Sequence, residues 1–538
     1  MGAYSQTHLT TCEERSPKCK LLYRDKIERD MPRAREHMNE MHRNQIPLLS
    51  KSRFMSGLQC HKRLYLECFH RDLSDPVDEW QQSIFDAGTN VGELARSLYP
   101  SGVLIDEDHF HHEDAMISTR AALTNLGLPA VFEAAFLCDD VRIRVDILAR
   151  LGRDSFELIE VKSNTGLKDE HIPDVAVQLY VLTGCGISIR RACLAHLNKE
   201  YVYGGGDYDL NQLFCVEDIT NEAREMQDDI SLALAAMRLP LWDAEPPDVA
   251  ARRQCTRPYQ CQFYCHCHAD EPEHHVSQLP GAREKLLRSL EEVGIEDIRD
   301  IPPGFSGLSA IQQRVRDCVV NERFHLDDEL PRALRELAYP VHFLDFETFN
   351  PALPVYVETR PYQVIPFQWS DHILDRNGKL RHEEFLHEGS TDPREPFARS
   401  LLTALGAEGS IVVYSGFEAA RIRELAAALP SLSTELLGLL ESRIVDLLQL
   451  VRKHCYHPEF RGSFSIKSVL PALVPELDYS DLEIRDGGMA SVAYAEMIQP
   501  ETLPERRDFL RRSLLAYCKR DTEAEVRLFQ TLQSSLPI

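Results

Sequence analysis

Residues 342 to 351 read HFLDFETFNP, an apolar run that carries Asp345 and Glu347 two positions apart. Successive side chains of a strand point to opposite faces, so these two carboxylates share one face. Leaving both ionised in an apolar setting costs several kcal/mol per ion unless a cation compensates them. A fold that keeps this strand must therefore bring a divalent cation to it, together with further acidic groups. The tail supplies a partner: LLAYCKRDTEAEVRLF has helical periodicity, with Tyr517 and Asp521 four apart on one face.

The 538-residue chain is 43% hydrophobic and 27% charged, enough for roughly two to four globular domains. Its formal charge of −25 argues against a coat protein held to nucleic acid by bulk charge, while leaving room for a local basic groove. No apolar run approaches the roughly 18 residues of a membrane span, and the first 45 residues lack a signal-peptide core. The expectation is a cytoplasmic protein with no membrane partner. Fifteen cysteines scattered through so long a chain point to free thiols plus a metal or cluster site, not to a disulfide framework.

The pattern predicts four segments. Residues 1–45 are polar and densely charged and read as a loosely ordered extension. Residues 46–270 form a first globular domain that ends in a cysteine-rich stretch. Residues 271–338 read as a helical connector with a Pro-Gly turn. From 339 to 538, strand-like runs (VHFLDFE, FQWSDHIL, SIVVYS) alternate with helical ones, so the fold class is α/β throughout. In RPYQVIPFQWS, Gln368 and Trp369 are candidate substrate contacts. Ser463 or Ser465 caps the helix that follows, and Lys467 reads as a surface residue, with a phosphate contact as the alternative.

In VRIRVDILARLGRDSFELIEVKSN two strands meet at a turn around Gly152. Alternation sets Val141, Val145 and Ile147 on one face with Arg144 and Asp146 on the other. Glu160 and Lys162 share a face of the second strand. Two carboxylates and an amine projecting from paired strands can hold a divalent cation while the lysine positions or activates water against a scissile phosphate. The helical HIPDVAVQLYVL adds Asp174 and Gln178, four apart and able to reach the same side.

This order, Glu133, Asp146, Glu160-x-Lys162 and a helical Gln178, resembles the RecB-like branch of the PD-(D/E)xK nucleases, which have a restriction-endonuclease-like fold. The resemblance implies that Asp146 and Glu160 bind metal, that Lys162 is the catalytic lysine and that Gln178 belongs to the motif after the core, with Glu133 a further candidate. Many members carry a metal-binding histidine on an early helix; the comparable FDAGTNVGELAR has none, so Glu93 either substitutes as ligand or its helix only packs.

The cysteines of CTRPYQCQFYCHC, Cys255, Cys261, Cys265 and Cys267, gather soft ligands suited to zinc or an iron-sulfur cluster. Two cysteines one residue apart do not sit comfortably on one centre, so Cys265 or Cys267 is spare; regular x5 spacing favours Cys255, Cys261 and Cys267. Cys60 in LQCHKRLYLE completes a resemblance to CRISPR-associated and AddB-type RecB-like nucleases, which implies a 4Fe-4S cluster held by Cys60 and the distal trio. Zinc, with His266 or His268, is the alternative.

Asp345 and Glu347 with Tyr517 and Asp521 resemble the DnaQ-like, DEDD-type 3'-5' exonucleases of RNase H-like fold. The resemblance implies that Asp345, Glu347 and Asp521 bind magnesium or manganese and that Tyr517 orients the attacking water. Glu418 stands where the family has the aspartate of N-x-x-F-D, and Asp446 competes for that role. The tandem is similar to a bacterial family whose carboxy-terminal half is of unknown function. It implies a metal-dependent nuclease acting on DNA, with RNA left open; a cluster-stabilised nucleic-acid-binding scaffold with degenerate sites is the alternative.

Overall fold

Strict alternation in VRIRVDILAR lays Val141, Ile143, Val145 and Ile147 into a core while the residues between them stay half-buried. A computed structural model describes residues 47–534, so the extension at 1–45 lies outside the described residues. The chain divides into two units. The first takes residues up to 76, 92–197 and 210–268; the second takes 77–91, 198–209 and the chain from 269.

The first unit is built on a seven-stranded sheet. Its strands are β1 (Leu49–Ser50), β2 (Val103–Leu104), β3 (Ala130–Cys138), β4 (Val141–Arg150), β5 (Phe156–Lys162), β6 (Ile189–Leu197) and β7 (Phe214–Asp218). β2 to β7 lie in chain order, and β1 pairs with β4. β3, β4 and β5 run antiparallel; β5 and β6 are parallel, joined by the helix His171–Gly184. That helix is apolar on most faces, Val175, Ala176, Val177, Leu179, Val181 and Leu182 all being buried, as a crossover packed between a sheet and further helices requires.

The second unit carries β8 (His325–Leu326) paired with β14 (Cys455–Tyr456), and a five-stranded sheet of β9 (Val341–Phe349), β10 (Ile365–Leu374), β11 (Leu380–Leu386), β12 (Ser410–Val413) and β13 (Ile444–Asp446). Its order is β11-β10-β9-β12-β13. β9, β10 and β11 form an antiparallel meander, while β9, β12 and β13 are parallel. The order thus reverses at β9, and the carboxyl ends of β9 and β12 open beside each other, where α/β sheets place ligand crevices. All of β10 is buried, and the helix Pro504–Ser534 packs across β9 and β10.

Two expected boundaries need correction. Residues 271–338 do form short helices, but they are not a spacer: Val276, Leu279, Leu290, Ile298, Leu330 and Leu334 share one core with Phe343, Val451, Phe460 and Phe529. Gly462, at φ +77°, marks the closeness of that packing, since a Cβ there would fall 1.6 Å from the Gln278 carbonyl oxygen. Within 46–270, the loop around Tyr203 belongs to the second unit. Tyr203 exchanges backbone hydrogen bonds with Thr359 and Glu358 at 2.9 and 2.8 Å, and Arg360 meets Glu200 at 2.7 Å. Such pairing joins residues more than 150 positions apart and leaves no local mark in the sequence.

Candidate metal centres

The β4–β5 ladder ends at Ile147 and Ile159. One step beyond, Asp146 and Glu160 face each other where the strands part, and the Asp146 carboxylate takes the place of a ladder acceptor: Val161 N–H donates to its Oδ2 at 2.7 Å. Glu160 is 1% exposed. Its Oε1 accepts from Lys162 Nζ at 2.8 Å and from Lys51 Nζ at 2.6 Å, and its Oε2 accepts from Gln178 Nε2 at 2.7 Å. Lys162 also bonds Asp174, on the face of the helix that carries Gln178. Local periodicity therefore put Asp146, Glu160, Lys162, Asp174 and Gln178 on the sides from which they meet.

Burial raises the Asp146 carboxyl, and Glu160 adds to it, pushing it up to about 7. Burial acts the same way on Glu160, but Lys162 and Lys51 outweigh it and hold that carboxyl well below its ordinary range. Both lysines are held well above theirs, burial being outweighed by Asp174 and Glu160. Glu133 sits at φ +54° opposite Asp146, where the otherwise unbroken β3–β4 register leaves one pair unformed, and it meets Arg96 at 3.3 Å and Arg144 at 3.9 Å. Those guanidiniums pair with Glu133 beside the centre, and its charge still adds to the rise of the Asp146 carboxyl. Glu93 is exposed on the helix Glu79–Arg96, and among the described residues no bond ties it to Asp146 or Glu160. Lys51 carries no sequence signal: it is one lysine at the start of an ordinary helix.

Cys60, Cys255, Cys261 and Cys267 line one cavity. Cys60 breaks the helices Lys51–Gln59 and His61–Phe69 with an extended residue, and Gln59 Nε2 reaches the Gln254 and Tyr259 carbonyls at 2.6 and 2.7 Å, tying the two ends of the unit together. Leu66 and Phe263 close the apolar side. Cys265 points elsewhere: it is exposed, and its backbone N–H donates to Asp75 at 3.2 Å. His266 is exposed and His268 stacks on Tyr264 at 3.9 Å. Burial pushes the Cys255, Cys261 and Cys267 thiols up.

In the second unit β9 continues past the end of β12, whose last partner on it is Phe343, so Asp345 and Glu347 project beside an open edge. A cleft of about 660 Å³ there is lined by Asp345, Glu347, Glu418, Lys467, Tyr517, Asp521 and Glu525. Glu418 is supplied by the helix that follows β12; Tyr517, Asp521 and Glu525 recur every four residues along one face of Pro504–Ser534. Ligand oxygens of Asp345 and Glu347 lie within 4.8 Å of the Cys518 sulfur and of each other. The Cys518 thiol, pushed well up by burial and then by Asp345, donates to Asp345 Oδ2 at 3.5 Å. Tyr479 O–H donates to Asp521 Oδ1 at 2.6 Å.

Burial raises every carboxyl of this group. Asp345 and Glu347 stand well above the ordinary range, each with Asp521 as the next cause; Glu418 reaches about 8 and Asp521 about 6. Glu525 is also well up, after burial because of Glu418. Oε2 of Glu418 and Oε2 of Glu525 are buried without a hydrogen-bond partner, a state that costs free energy unless something positive joins them. Asp446 serves differently. Its side chain accepts from Gln449 N–H at 3.0 Å and caps the helix Leu447–His454, so Glu418 is the acid that lines the cleft.

Lys467, read from sequence as a surface residue, projects into this cleft: its Nζ donates to the Arg485 carbonyl at 2.6 Å and lies 3.4 Å from the Tyr517 hydroxyl. Gln368 and Trp369 are not substrate contacts. Both are buried in β10, Gln368 donating to the Leu514 carbonyl at 2.9 Å and Trp369 to Ser400 Oγ at 3.0 Å. Facing each other across β10 and β11, beside Thr522 of the helix Pro504–Ser534, His372 and His382 lie 4.5 Å apart, each lowered to about 4 by burial. The folded state keeps them neutral, whereas the unfolded chain takes up protons near the ordinary value of 6.5. Stability is therefore expected to fall as pH drops from about 6.5 through about 4. Thermal melts across that window should show the loss, and His382→Gln should flatten it.

A family described as "Domain of unknown function (DUF2779)" matches residues 342–465. That span holds Asp345, Glu347, Glu418 and Asp446 and stops before Tyr517. The chain is also similar to a solved structure titled "Crystal structure of SSO0001", at 13% identity over 47% of this chain and 97% of that one, with a TM-score of 0.20. No curated protein matches. Among the described residues, no helix is long and apolar enough to cross a membrane.

Proposed function

We propose that the protein is a metal-dependent nuclease that hydrolyses phosphodiester bonds in DNA at two centres. The observation that carries the reading is the convergence of Asp345, Glu347, Glu418, Asp521 and Glu525, from a strand and two helices distant in sequence, on one cleft with Tyr517 and Lys467. The strand order β11-β10-β9-β12-β13, with β10 alone antiparallel to its neighbours on both sides, supports an RNase H-like arrangement for this unit. In the first unit, three antiparallel strands, a helix and a parallel fourth strand support a restriction-endonuclease-like core.

The donor set fits hard divalent cations: carboxylate oxygens, several of them buried, with Oε2 of Glu418 and of neighbouring Glu525 unpartnered in the second unit and Oδ1 of Asp174 in the first. Asp345, Glu347 and Asp521, with Glu418, would hold magnesium or manganese in the second unit, and Asp146 and Glu160 in the first. A bound divalent cation supplies Lewis acidity, lowering the pKa of water and offsetting charge on the phosphate. Tyr517, kept protonated by burial and by Glu347, can donate a hydrogen bond that orients a water molecule. Lys467 presents an ammonium to a phosphate oxygen. In the first unit Lys162 fixes Glu160 and Asp174 and offers its ammonium to the same kind of group.

Cys60, Cys255, Cys261 and Cys267 gather soft thiolates that suit a cluster, with zinc as the alternative. A 4Fe-4S cluster on Cys60, Cys255, Cys261 and Cys267 would act as a staple for the first unit.

The test is release of nucleotides from end-labelled single- and double-stranded DNA, and from RNA in parallel, with magnesium or manganese. Binding without hydrolysis in every metal would leave a scaffold and end the nuclease reading. Lys467→Ala is expected to raise KM about tenfold with a smaller change in kcat, the signature of a lost phosphate contact. An unchanged KM would remove Lys467 from substrate binding.

A further inference from the structure

The first centre holds a second ammonium. Ser50 caps the helix Lys51–Gln59, its Oγ accepting from Arg53 N–H at 3.1 Å, and Lys51 leaves the first turn toward the parted ends of β4 and β5. Its Nζ lies 2.6 Å from Glu160 Oε1 and 3.6 Å from Asp174 Oδ1, with the side chain 22% exposed. Lys162 bridges the same two carboxylates, at Glu160 Oε1 and Asp174 Oδ2. The centre thus pairs the carboxylates of Asp146, Glu160 and Asp174 with the ammoniums of Lys51 and Lys162, a net charge of −1. The cleft of the second unit sets Asp345, Glu347, Glu418, Asp486, Asp521 and Glu525 against Lys467, a formal charge of −5 once every carboxyl is ionised. One divalent cation reverses the first balance, while two still leave the second negative.

We propose that Lys51 is a positioning residue and resident counter-cation that limits the first centre to a single divalent ion. This rests on the reading of that centre as a metal site. Lys51 holds Glu160 in the rotamer that Gln178 also fixes, so the carboxylate is oriented before an ion arrives. Its charge competes with that ion. Removing the charge should tighten metal binding while loosening the geometry, so affinity and rate move in opposite directions. A merely structural lysine would not produce that split.

The experiment uses the full chain in an Asp345→Asn/Asp521→Asn background, which disables the second cleft. Manganese binding is followed at pH 8 by electron paramagnetic resonance of the free ion, with DNA hydrolysis measured at saturating manganese. With Lys51 present, one ion is expected. Lys51→Met should bind manganese at least fivefold more tightly and turn over at least tenfold more slowly, and Lys51→Arg should keep the original affinity. Lys51→Gln, which keeps a hydrogen-bond donor without the charge, is the second variant should the methionine impair folding. Unchanged or weaker affinity in both neutral variants, or two ions bound with Lys51 present, overturns the proposal while leaving the metal site intact. No manganese binding with Lys51 present overturns the metal reading itself, and this inference with it.

Discussion

Asp345→Asn, placed in a Lys162→Ala background that silences the first centre, is expected to lower hydrolysis by at least about a thousandfold, the scale lost with a ligand that acts in the transition state. The same substitution should stabilise the metal-free protein. Burial and the neighbouring Asp521 and Glu347 hold the Asp345 carboxyl well above its ordinary range, so its ionised form is a liability to the fold that asparagine removes. The wider group obeys the same sign. A carboxyl whose folded pKa is raised contributes stability below its unfolded value and loses it as pH climbs through the folded value, which for Glu418 is about 8. Melting temperature in EDTA should therefore decline from about pH 6.5 to pH 8, above the window in which His372 and His382 act. Magnesium or manganese should restore it, most strongly at the alkaline end, by binding the native state alone. Asp345→Asn should gain less from either metal. Full hydrolysis by the variant, or a metal-free melting curve indifferent to pH and to the ion, would dissolve the link between these carboxylates and a cation.

The second large effect concerns the cysteine cavity. Cys261→Ser is expected to abolish the visible absorbance and bound iron of anaerobically purified protein and to lower the melting temperature of the first unit by about 10 °C or more, since ligation energy in such sites is folding energy. The size follows from topology: Cys60 and Cys255 stand 195 positions apart, and apart from the cavity the ends are tied by the hydrogen bonds of Gln59, Tyr65 and Asp75 and the small cluster around Leu66 and Phe263. Cys265→Ser, which alters an exposed thiol outside the cavity, should change neither iron content nor stability. Stoichiometric zinc in colourless protein would replace the cluster, and a Cys261→Ser protein that keeps its iron would remove Cys261 from the ligand set.

Local spacing decided what the chain alone could say. The i, i+2 pair Asp345 and Glu347, the pair Glu160 and Lys162, and the i, i+4 pairs Asp174 with Gln178 and Tyr517 with Asp521 declare which side chains share a face, because strand and helix periods are properties of the backbone. Glu525 was legible by the same rule, one further turn beyond Asp521. Tertiary packing decided everything that depends on residues distant in the chain. It chose Glu418 over Asp446 by turning the latter into a helix cap, buried Gln368 and Trp369, and brought Lys51 and Lys467 among carboxylates from other elements. It also folded residues 271–338 into a core and set Cys265 outside the cysteine cavity. Periodicity fixes the direction in which a side chain leaves its own backbone; which other segment waits there is settled by how sheets and helices bury their apolar faces against one another.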